Sequence, residues 1–429
     1  MHKIKVSLIT IGCRVNQYET AVLRNLLQSR GYRIVDATQA ADIAVINTCT
    51  VTDRSDADAR RWIYRLRRLN PHVRIAAVGC QAQLQSETLA SLPNVCWVIG
   101  TEKKFDLAEI ITRDSAAPKI TIRQSKRPPA FHIEVPGIDP MRTRANLKIQ
   151  DGCNNFCTYC EVPYARGRAR SRDFENILDE ARALIAAGHQ EIVLTGINVG
   201  AYSNHRRTIV DVISALERLS GLKRIRISSI EPTRILEEII DYMTGSQKLC
   251  RHLHIPVQYG SDDILRTMGR RYSVEDLQRI FYQAIEKVPG ICLGTDVIAG
   301  FPGETEQAFE RTYQLLKDLP VHYFHVFRFS IRPNAVAGQM ADQIPPDEIR
   351  RRSERLRALG VRKRNRFYRQ LIGDTVAVLF EQCRNDEWQG LTDHFVSVRV
   401  SSEKNLKNKI RRVELDSMNS GMMRGHLTS

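Results

Sequence analysis

Cys153-Asn154-Asn155-Phe156-Cys157-Thr158-Tyr159-Cys160 places three thiols within eight residues. Three thiolates so spaced can hold three irons of a cubane cluster and leave the fourth iron without a protein ligand. An open metal position is what a site needs in order to bind and cleave a small molecule. Zinc is the alternative occupant, but a zinc site normally takes four ligands, and no fourth Cys or His follows nearby.

The triad comes directly after a strand-like stretch, Ala145–Gln150. Further strands are expected at Glu191–Thr195, Arg224–Ser229, His252–Val257, Cys292–Ile298 and His322–Phe329. Helical stretches at Phe174–Ala187, Ile209–Leu219, Ile235–Met243, Val274–Val288 and Glu304–Leu319 alternate with them. Such βα alternation predicts most of a TIM-like barrel, with chemistry at the carboxyl ends of the strands. Toward the amino terminus, strands at Lys3–Thr10, Asp42–Asn47, Val73–Val78 and Val95–Ile99 alternate with helices at Gln17–Ser29, Asp53–Leu69 and Leu84–Leu92. That rhythm predicts a parallel sheet covered on both faces. Pro118, Pro128, Pro129, Pro136 and Pro140 break it and mark a linker. After Gly373, short strands at Thr375–Glu381, Phe395–Val400 and Lys409–Leu415 predict a small β-barrel, with no clear final strand beyond Val413. The expected α/β architecture is therefore a parallel-sheet domain (1–113), a linker (114–138), a partial (βα)6 barrel (139–369) and a β-barrel tail (370–429).

A second cysteine set is dispersed. Cys13, Cys49 and Cys80 each lie just beyond a predicted parallel strand. The carboxyl ends of parallel strands share one sheet edge, where open α/β sheets bind ligands. Gly12 and Gly79 adjoin two of the three. Burial as small hydrophobes is the competing reading, and it is the better one for Cys96, Cys250, Cys292 and Cys383.

The chain has 429 residues with 42% hydrophobic and 26% charged content, which excludes a wholly disordered protein. No apolar run approaches the ~20 residues of a membrane span. The opening MHKIKVSLIT lacks the pattern of a cleaved signal, so a cytoplasmic protein without membrane contact is expected. Lys and Arg exceed Asp and Glu by 64 to 48, a net +16, which favours a polyanionic partner. Nearly half of that excess lies in Asp347–Arg369, where ten basic residues face three acidic ones. A solvated helix face is the other reading of such a run.

The first triad and its place in the barrel resemble the radical S-adenosylmethionine (SAM) superfamily, and Tyr159 before the third cysteine fits that pattern. Both cysteine sets together resemble the methylthiotransferase family. The resemblance runs through Gly12-Cys13-Arg14-Val15-Asn16-Gln17-Tyr18-Glu19-Thr20, Asn47-Thr48-Cys49-Thr50-Val51-Thr52 and Gly79-Cys80-Gln81-Ala82-Gln83. It continues through the basic loop Pro163–Arg172, Leu194–Asn198, Ser228–Pro232, His252–Gln258 and Asp296–Glu304. The tail resembles the TRAM RNA-binding domain. Two departures stand out: Glu161, where relatives usually carry an aliphatic residue, and Arg332–Gly338, a degraded form of a motif near the barrel's end.

The resemblance implies two 4Fe–4S clusters, held by Cys13, Cys49 and Cys80 and by Cys153, Cys157 and Cys160, with SAM as co-substrate. It implies SAM contacts at Tyr159, Thr195, Gly196, Asn198, Ser229 and Glu231. It points to the branch acting on N6-threonylcarbamoyladenosine at position 37, in the anticodon loop of tRNA. One SAM would methylate a sulfur at the amino-terminal cluster, and a second would yield the adenosyl radical that takes hydrogen from carbon 2 of adenine. The cofactors carry that chemistry, so no side chain is singled out as catalytic. Arg166, Arg168, Arg170, Arg362, Lys363 and Arg364 are candidates for RNA contact. An electron donor such as flavodoxin or ferredoxin and a monomeric state are also expected. The alternatives are action on isopentenyladenosine, action on a ribosomal-protein aspartate, and a non-enzymatic RNA-binding protein with structural clusters.

Overall fold

A computed structural model describes residues 3–112, 119–123, 130–419 and 421–428. The chain opens with β1 (Lys5–Thr10), α1 (Arg14–Ser29), β2 (Arg33–Val35), β3 (Ile43–Thr48), α2 (Asp53–Leu69) and β4 (Arg74–Gly79). It continues with α3 (Cys80–Leu84), α4 (Ser86–Ala90), β5 (Val95–Ile99), α5 (Leu107–Ile110) and β6 (Lys119–Thr121). The strands form one parallel sheet in the order β2-β1-β3-β4-β5-β6. β3 is buried at every position, as a central strand with helices on both faces must be. α2 follows from its sequence: the Thr52 side chain caps Ser55 N–H, Asp53 and Asp56 occupy the first turn, and Arg67 and Arg68 the last. Its buried residues Ala59, Ile63 and Leu66 face the sheet.

Three features differ from the sequence reading. β2, at three residues, is too short to carry a periodic signal. The helix expected over Leu84–Leu92 is split into α3 and α4 at Gln85. The segment expected to be a linker contributes β6, which pairs with β5 through Trp97–Lys119 and Ile99–Thr121.

The barrel comprises β7 (Arg144–Lys148), β8 (Gln150–Asp151), α6 (Val162–Arg166), β9 (Arg170–Ser171), α7 (Phe174–Ala186), β10 (Glu191–Thr195), α8 (Ile209–Glu217) and β11 (Arg224–Ile227). It is completed by α9 (Arg234–Met243), β12 (His252–His254), α10 (Asp262–Thr267), α11 (Val274–Lys287), β13 (Cys292–Ala299), α12 (Glu306–Asp318), β14 (Tyr323–Arg328) and α13 (Pro346–Gln370). Two parallel sheets, β7-β10-β11 and β12-β13-β14, meet where Ile225 bridges Leu249 and Ile230 N–H donates to the His254 carbonyl. β8 and β9 pair antiparallel and form the neck of the cysteine loop between them.

The tail consists of β15 (Thr375–Arg384), β16 (Glu387–Thr392), β17 (Ser397–Ser401), β18 (Ile410–Asn419) and β19 (Met422–Leu427), closed in the order β15-β16-β17-β19-β18. The missing final strand is thus a correction: β19 completes the barrel. Only Met423 of that strand is fully buried, so its sequence carries no alternation to read. Cys383, expected in a core, is exposed on β15, whereas Cys250 and Cys292 are buried and Cys96 is half-buried.

The tail docks where barrel strands β10, β11 and β12 begin, opposite the cysteine loop. Arg224 donates to the Leu391 and Ala377 carbonyls at 3.0 and 2.7 Å. Arg226 donates to the Asp393 and Thr392 carbonyls at 2.9 and 3.0 Å and pairs with buried Glu191 at 2.7 Å. Phe395 stacks on His252 with ring centroids 4.4 Å apart. Arg226→Gln leaves Glu191 short of its closest counter-charge and should cost about 3–5 kcal/mol. Limited proteolysis should then cut between α13 and β15 before it attacks the barrel. A tail as resistant as in the wild type would contradict this account of the docking.

Candidate functional site

Three strand ends bring Cys13, Cys49 and Cys80 together. Cys13 caps α1, Cys49 follows β3, and Cys80 opens α3. Short polar side chains join these ends. Asn16 Nδ2 donates to the Ile11 and Thr48 carbonyls at 2.7 and 2.9 Å. Thr48 Oγ1 donates to the Val78 carbonyl at 2.7 Å and accepts from Ala82 N–H at 3.2 Å. Gly12 (φ +95°) and Gly79 (φ +98°) occupy the left-handed region. A Cβ on Gly12 would lie 2.6 Å from Cys49 Sγ, and one on Gly79 would lie 2.6 Å from Asn47 Oδ1. The glycines beside the cysteines are therefore required by close approach.

Burial, then Cys80 and Cys13, push the Cys49 thiol up to about 12. Burial also raises Cys80, which Arg166 and Lys104 pull back down. Three converging thiols suit a cationic metal group, which deprotonates its cysteine ligands.

The radical-type triad is held from several directions. Cys153 N–H donates to the Gly167 carbonyl at 3.1 Å, closing the loop at its neck. Thr158 donates from its N–H to the Met268 carbonyl at 3.0 Å and from Oγ1 to the Thr267 carbonyl at 2.9 Å. Burial raises the Cys153 thiol and pushes Cys160 to about 12. Arg270 Nη1 donates to Cys157 Sγ at 3.2 Å, while the same guanidinium pairs with Glu231 and reaches the Tyr159 hydroxyl at 3.4 Å. Sequence reasoning missed Arg270, which follows Gly269 (φ +75°) after α10, far from any cysteine in the chain.

The expected SAM contacts lie around this loop. Thr195 ends β10, and the Ile197 and Asn198 N–H groups donate to Gln150 Oε1 at 3.1 and 2.8 Å. Asn198 Oδ1 is buried without a hydrogen-bond partner, as a ligand-facing acceptor would be in the ligand's absence. Ser229 Oγ donates to the His254 carbonyl at 3.4 Å, and Glu231 is bound to Arg270. These groups fit a small zwitterionic ligand beside the triad.

A cavity of about 200 Å³ is lined by Cys160 of the second set and by the segment that follows Cys49 of the first. Val51 and Thr52, which follow Cys49, wall one side, and Tyr159 to Val162 another. Gln258 (φ +62°), Asp296, Ile298 and Phe327 also line it. Burial raises the Asp296 carboxyl, and hydrogen bonds with His254 and His325 more than offset that, leaving it below the usual range.

Glu161 is a partner of Arg332 and Asn334, the latter two from the Arg332–Gly338 segment noted in the sequence. The Glu161 carboxylate accepts from Thr50 Oγ1 (2.9 Å), Arg332 Nε (3.1 Å) and Asn334 N (3.1 Å) and Nδ2 (3.0 Å). Arg332 also donates to Asp53 and Asp56, each at 2.7 Å, and to Thr50 Oγ1 at 2.9 Å. Glu161, in the cysteine loop, is thus neutralised by Arg332, which also grips the start of α2 through Asp53 and Asp56.

The expected RNA contacts divide. Arg166 is buried and bound to Glu19, Asp151 and Asn16, so it is a structural ion rather than a surface cation. Arg170 pairs with Asp151 at 3.2 Å. Arg168 is exposed and lies 5.5 Å over the Phe156 ring. Arg362 donates to the Tyr313 hydroxyl at 2.8 Å, and Lys363 donates to the Lys317 and Leu319 carbonyls at 2.8 and 2.6 Å. Burial lowers the Lys363 ammonium to about 8. Arg364 is half-buried beside Gly421.

Comparison with known proteins agrees with the fold. The model described as the Radical SAM superfamily matches residues 147–316, and that of uncharacterized protein family UPF0004 matches residues 5–100. A threonylcarbamoyladenosine tRNA methylthiotransferase of Bacillus subtilis is 37% identical, over 96% of this chain and 93% of its own. One from Aquifex aeolicus is 33% identical over 95% and 99%. A tRNA-2-methylthio-N(6)-dimethylallyladenosine synthase of Lachnoclostridium phytofermentans is 33% identical over 95% and 91%. Among solved structures, the radical S-adenosylmethionine methyltransferase TsrM of Kitasatospora setae shares the fold, with a TM-score of 0.58 and 16% identity over 78% of this chain and 75% of that one.

Fold and cysteine loop together define a radical SAM enzyme, a class that works with SAM and a 4Fe–4S cluster. More narrowly, the chain belongs to the tRNA methylthiotransferase family.

Arg332→Met should destabilise the protein by about 3–5 kcal/mol, since Glu161 and Asp56 lose their counter-charge in partly dry surroundings. Adding Glu161→Leu should restore part of that loss in thermal unfolding. Strictly additive costs would mean that the two residues are not coupled.

Proposed function

We propose that the protein adds a methylthio group to carbon 2 of N6-threonylcarbamoyladenosine at position 37 in the anticodon loop of tRNA. The observation that carries this reading is the cavity with the Cys49 loop on one wall and Cys160 on another. A base held there would touch Cys160 and the Val51–Thr52 segment that follows Cys49. Cys153, Cys157 and Cys160 would hold one 4Fe–4S cluster, and Cys13, Cys49 and Cys80 a second. With SAM bound, the first would supply radical chemistry strong enough for an aromatic C–H bond.

The protein's own residues orient and enclose. Arg270 keeps a fixed cation against Cys157 and holds Glu231 at the expected SAM position. Gln150 ties the cysteine-loop strand to the Ile197–Asn198 turn, so that the ends of β7 and β10 keep their spacing. Phe327 and Ile298 provide apolar wall against a flipped base, with Asp296 and Gln258 as polar contacts.

The domain reading is likewise part of the proposal: a methylthiotransferase sheet domain, a radical SAM barrel, and a TRAM-type tail that binds RNA. Cationic phosphate contacts are assigned to Arg168 and to the exposed face of α13, including Arg366 and Arg369. An acidic flavodoxin or ferredoxin would supply electrons to a monomeric, cytoplasmic enzyme. No helix among the described residues is long and apolar enough to cross a membrane.

Nucleoside mass analysis of tRNA from cells lacking the protein should show threonylcarbamoyladenosine without its methylthio group and isopentenyladenosine derivatives unchanged. Loss confined to the isopentenyl derivatives would transfer the enzyme to that substrate. The anaerobically reconstituted protein should hold about eight irons; about four would remove the second cluster. Cys157→Ala should abolish SAM cleavage.

A further inference from the structure

α2 carries a cationic face that the cysteine chemistry does not use. Its buried side, Ala59, Ile63 and Leu66, packs on the sheet. The opposite side forms a shallow groove lined by Arg60, Arg61, Tyr64, Arg65 and Arg68. These positions recur at three- and four-residue steps, so they stack along one face at a pitch of about 5.4 Å. All five are exposed, Tyr64 by 48%.

The acids of the helix do not neutralise this face. Asp53 and Asp56 are turned to Arg332, and Asp58 pairs with Arg61 alone. Arg54, Arg60, Arg67 and Arg68 have no ion pair among the described residues. Arg65 lies 4.8 Å over the ring of Trp62. Cations interleaved with aromatic rings match phosphates interleaved with bases.

Placement adds a second argument. Thr52, the cap of α2, lines the cavity beside Cys160, and the next residue, Asp53, is bound to Arg332. The basic face therefore starts at the mouth of the proposed base pocket and extends away from it for about 20 Å, from Arg54 to Arg68. A strand with one base in the pocket has its adjoining backbone within reach of that face.

We infer that α2 is a phosphate-binding rail for the tRNA strand adjoining the target base, with Arg60, Arg65 and Arg68 contacting phosphates and Tyr64 stacking on an unpaired base. This rests on the proposed tRNA substrate and adds a surface on the sheet domain to those on α13 and the tail. An acidic protein, such as a redox donor, is the other possible occupant; the aromatic interleaving and the start at the pocket mouth favour RNA.

The test compares full-length holoenzyme with the triple variant Arg60→Gln, Arg65→Gln, Arg68→Gln and with Tyr64→Ala. Binding of a tRNA carrying threonylcarbamoyladenosine is measured over a range of salt concentrations. The triple variant should lose at least about tenfold in affinity at low salt, and its log–log salt slope should fall by roughly two to three, near one unit per arginine. Tyr64→Ala should weaken binding about fivefold or more with the slope unchanged, the mark of stacking rather than charge. Cluster absorbance and tRNA-independent SAM cleavage should match the wild type in all variants. A triple variant with wild-type affinity and slope overturns the rail and leaves the tRNA substrate standing. The same holds if that variant keeps tRNA affinity but can no longer be reduced by flavodoxin, which would make the face a protein-docking surface. A wild-type enzyme that binds no tRNA at any salt concentration overturns both.

Discussion

Glu19 lies wholly inside the protein, and the relation between the two cysteine sets depends on what surrounds it. Lys104, Lys148 and Arg166 reach its carboxylate at 2.5, 2.7 and 2.9 Å, and Lys148, Arg166 and Arg170 also bind Asp151. Burial alone would raise the Glu19 carboxyl, but the attraction of Arg166, Lys104 and Lys148 outweighs it and holds the group ionised. Each participant belongs to a cysteine-bearing segment or its support. Glu19 lies on α1 behind Cys13, Asp151 just before Cys153, and Arg166 just after Cys160, while Lys104 follows the last long strand of the sheet. A buried ion network tolerates little displacement, because separating its members strands charge away from water. It therefore fixes the sheet edge against the barrel mouth. Its four cations exceed its two anions, and Arg166 and Lys104 draw the Cys80 thiol down against the larger effect of burial, which leaves it raised.

Sequence could reveal the parts of this arrangement that are local or repetitive. The barrel strands stand near their expected positions because each is a short apolar run between amphipathic helices, and Glu191–Thr195 coincides with the expectation. The cysteine sets were legible through spacing in one case and shared position after parallel strands in the other. Elements without such a signal were not: β6 has three half-buried residues, and β19 has one fully buried side chain. Arg166 and Arg170 illustrate a deeper limit. A basic loop reads as a phosphate-binding surface unless its counter-ions are known, and Glu19 lies 147 residues from Arg166. Likewise, Glu161 and Arg332 are 171 residues apart along the chain, yet they form one ion pair in space.

The two ends of the barrel are put to different uses, and α13 connects them. Near its start, Arg352 binds Glu304 just beyond β13, on the cysteine side. Near its end, Phe367 packs on His322 at the start of β14, on the tail side. Its 25 residues span about 38 Å. Much of the charge on its first turns is spent internally, since Arg350, Arg351, Arg352 and Arg355 pair with Asp347, Glu348, Glu304, Glu306 and Glu310. Lys363, closer to the tail, caps the end of α12 rather than facing water. The +7 excess of this segment therefore overstates the charge it can offer a polyanion. The tail plugs the floor of the barrel, on the far side from the cavity lined by Cys160, so the RNA contacts proposed for it lie at a distance from the proposed chemistry. The proposed substrate suits that separation, because the anticodon arm of a tRNA is long enough to engage both ends of a barrel and a free nucleoside is not.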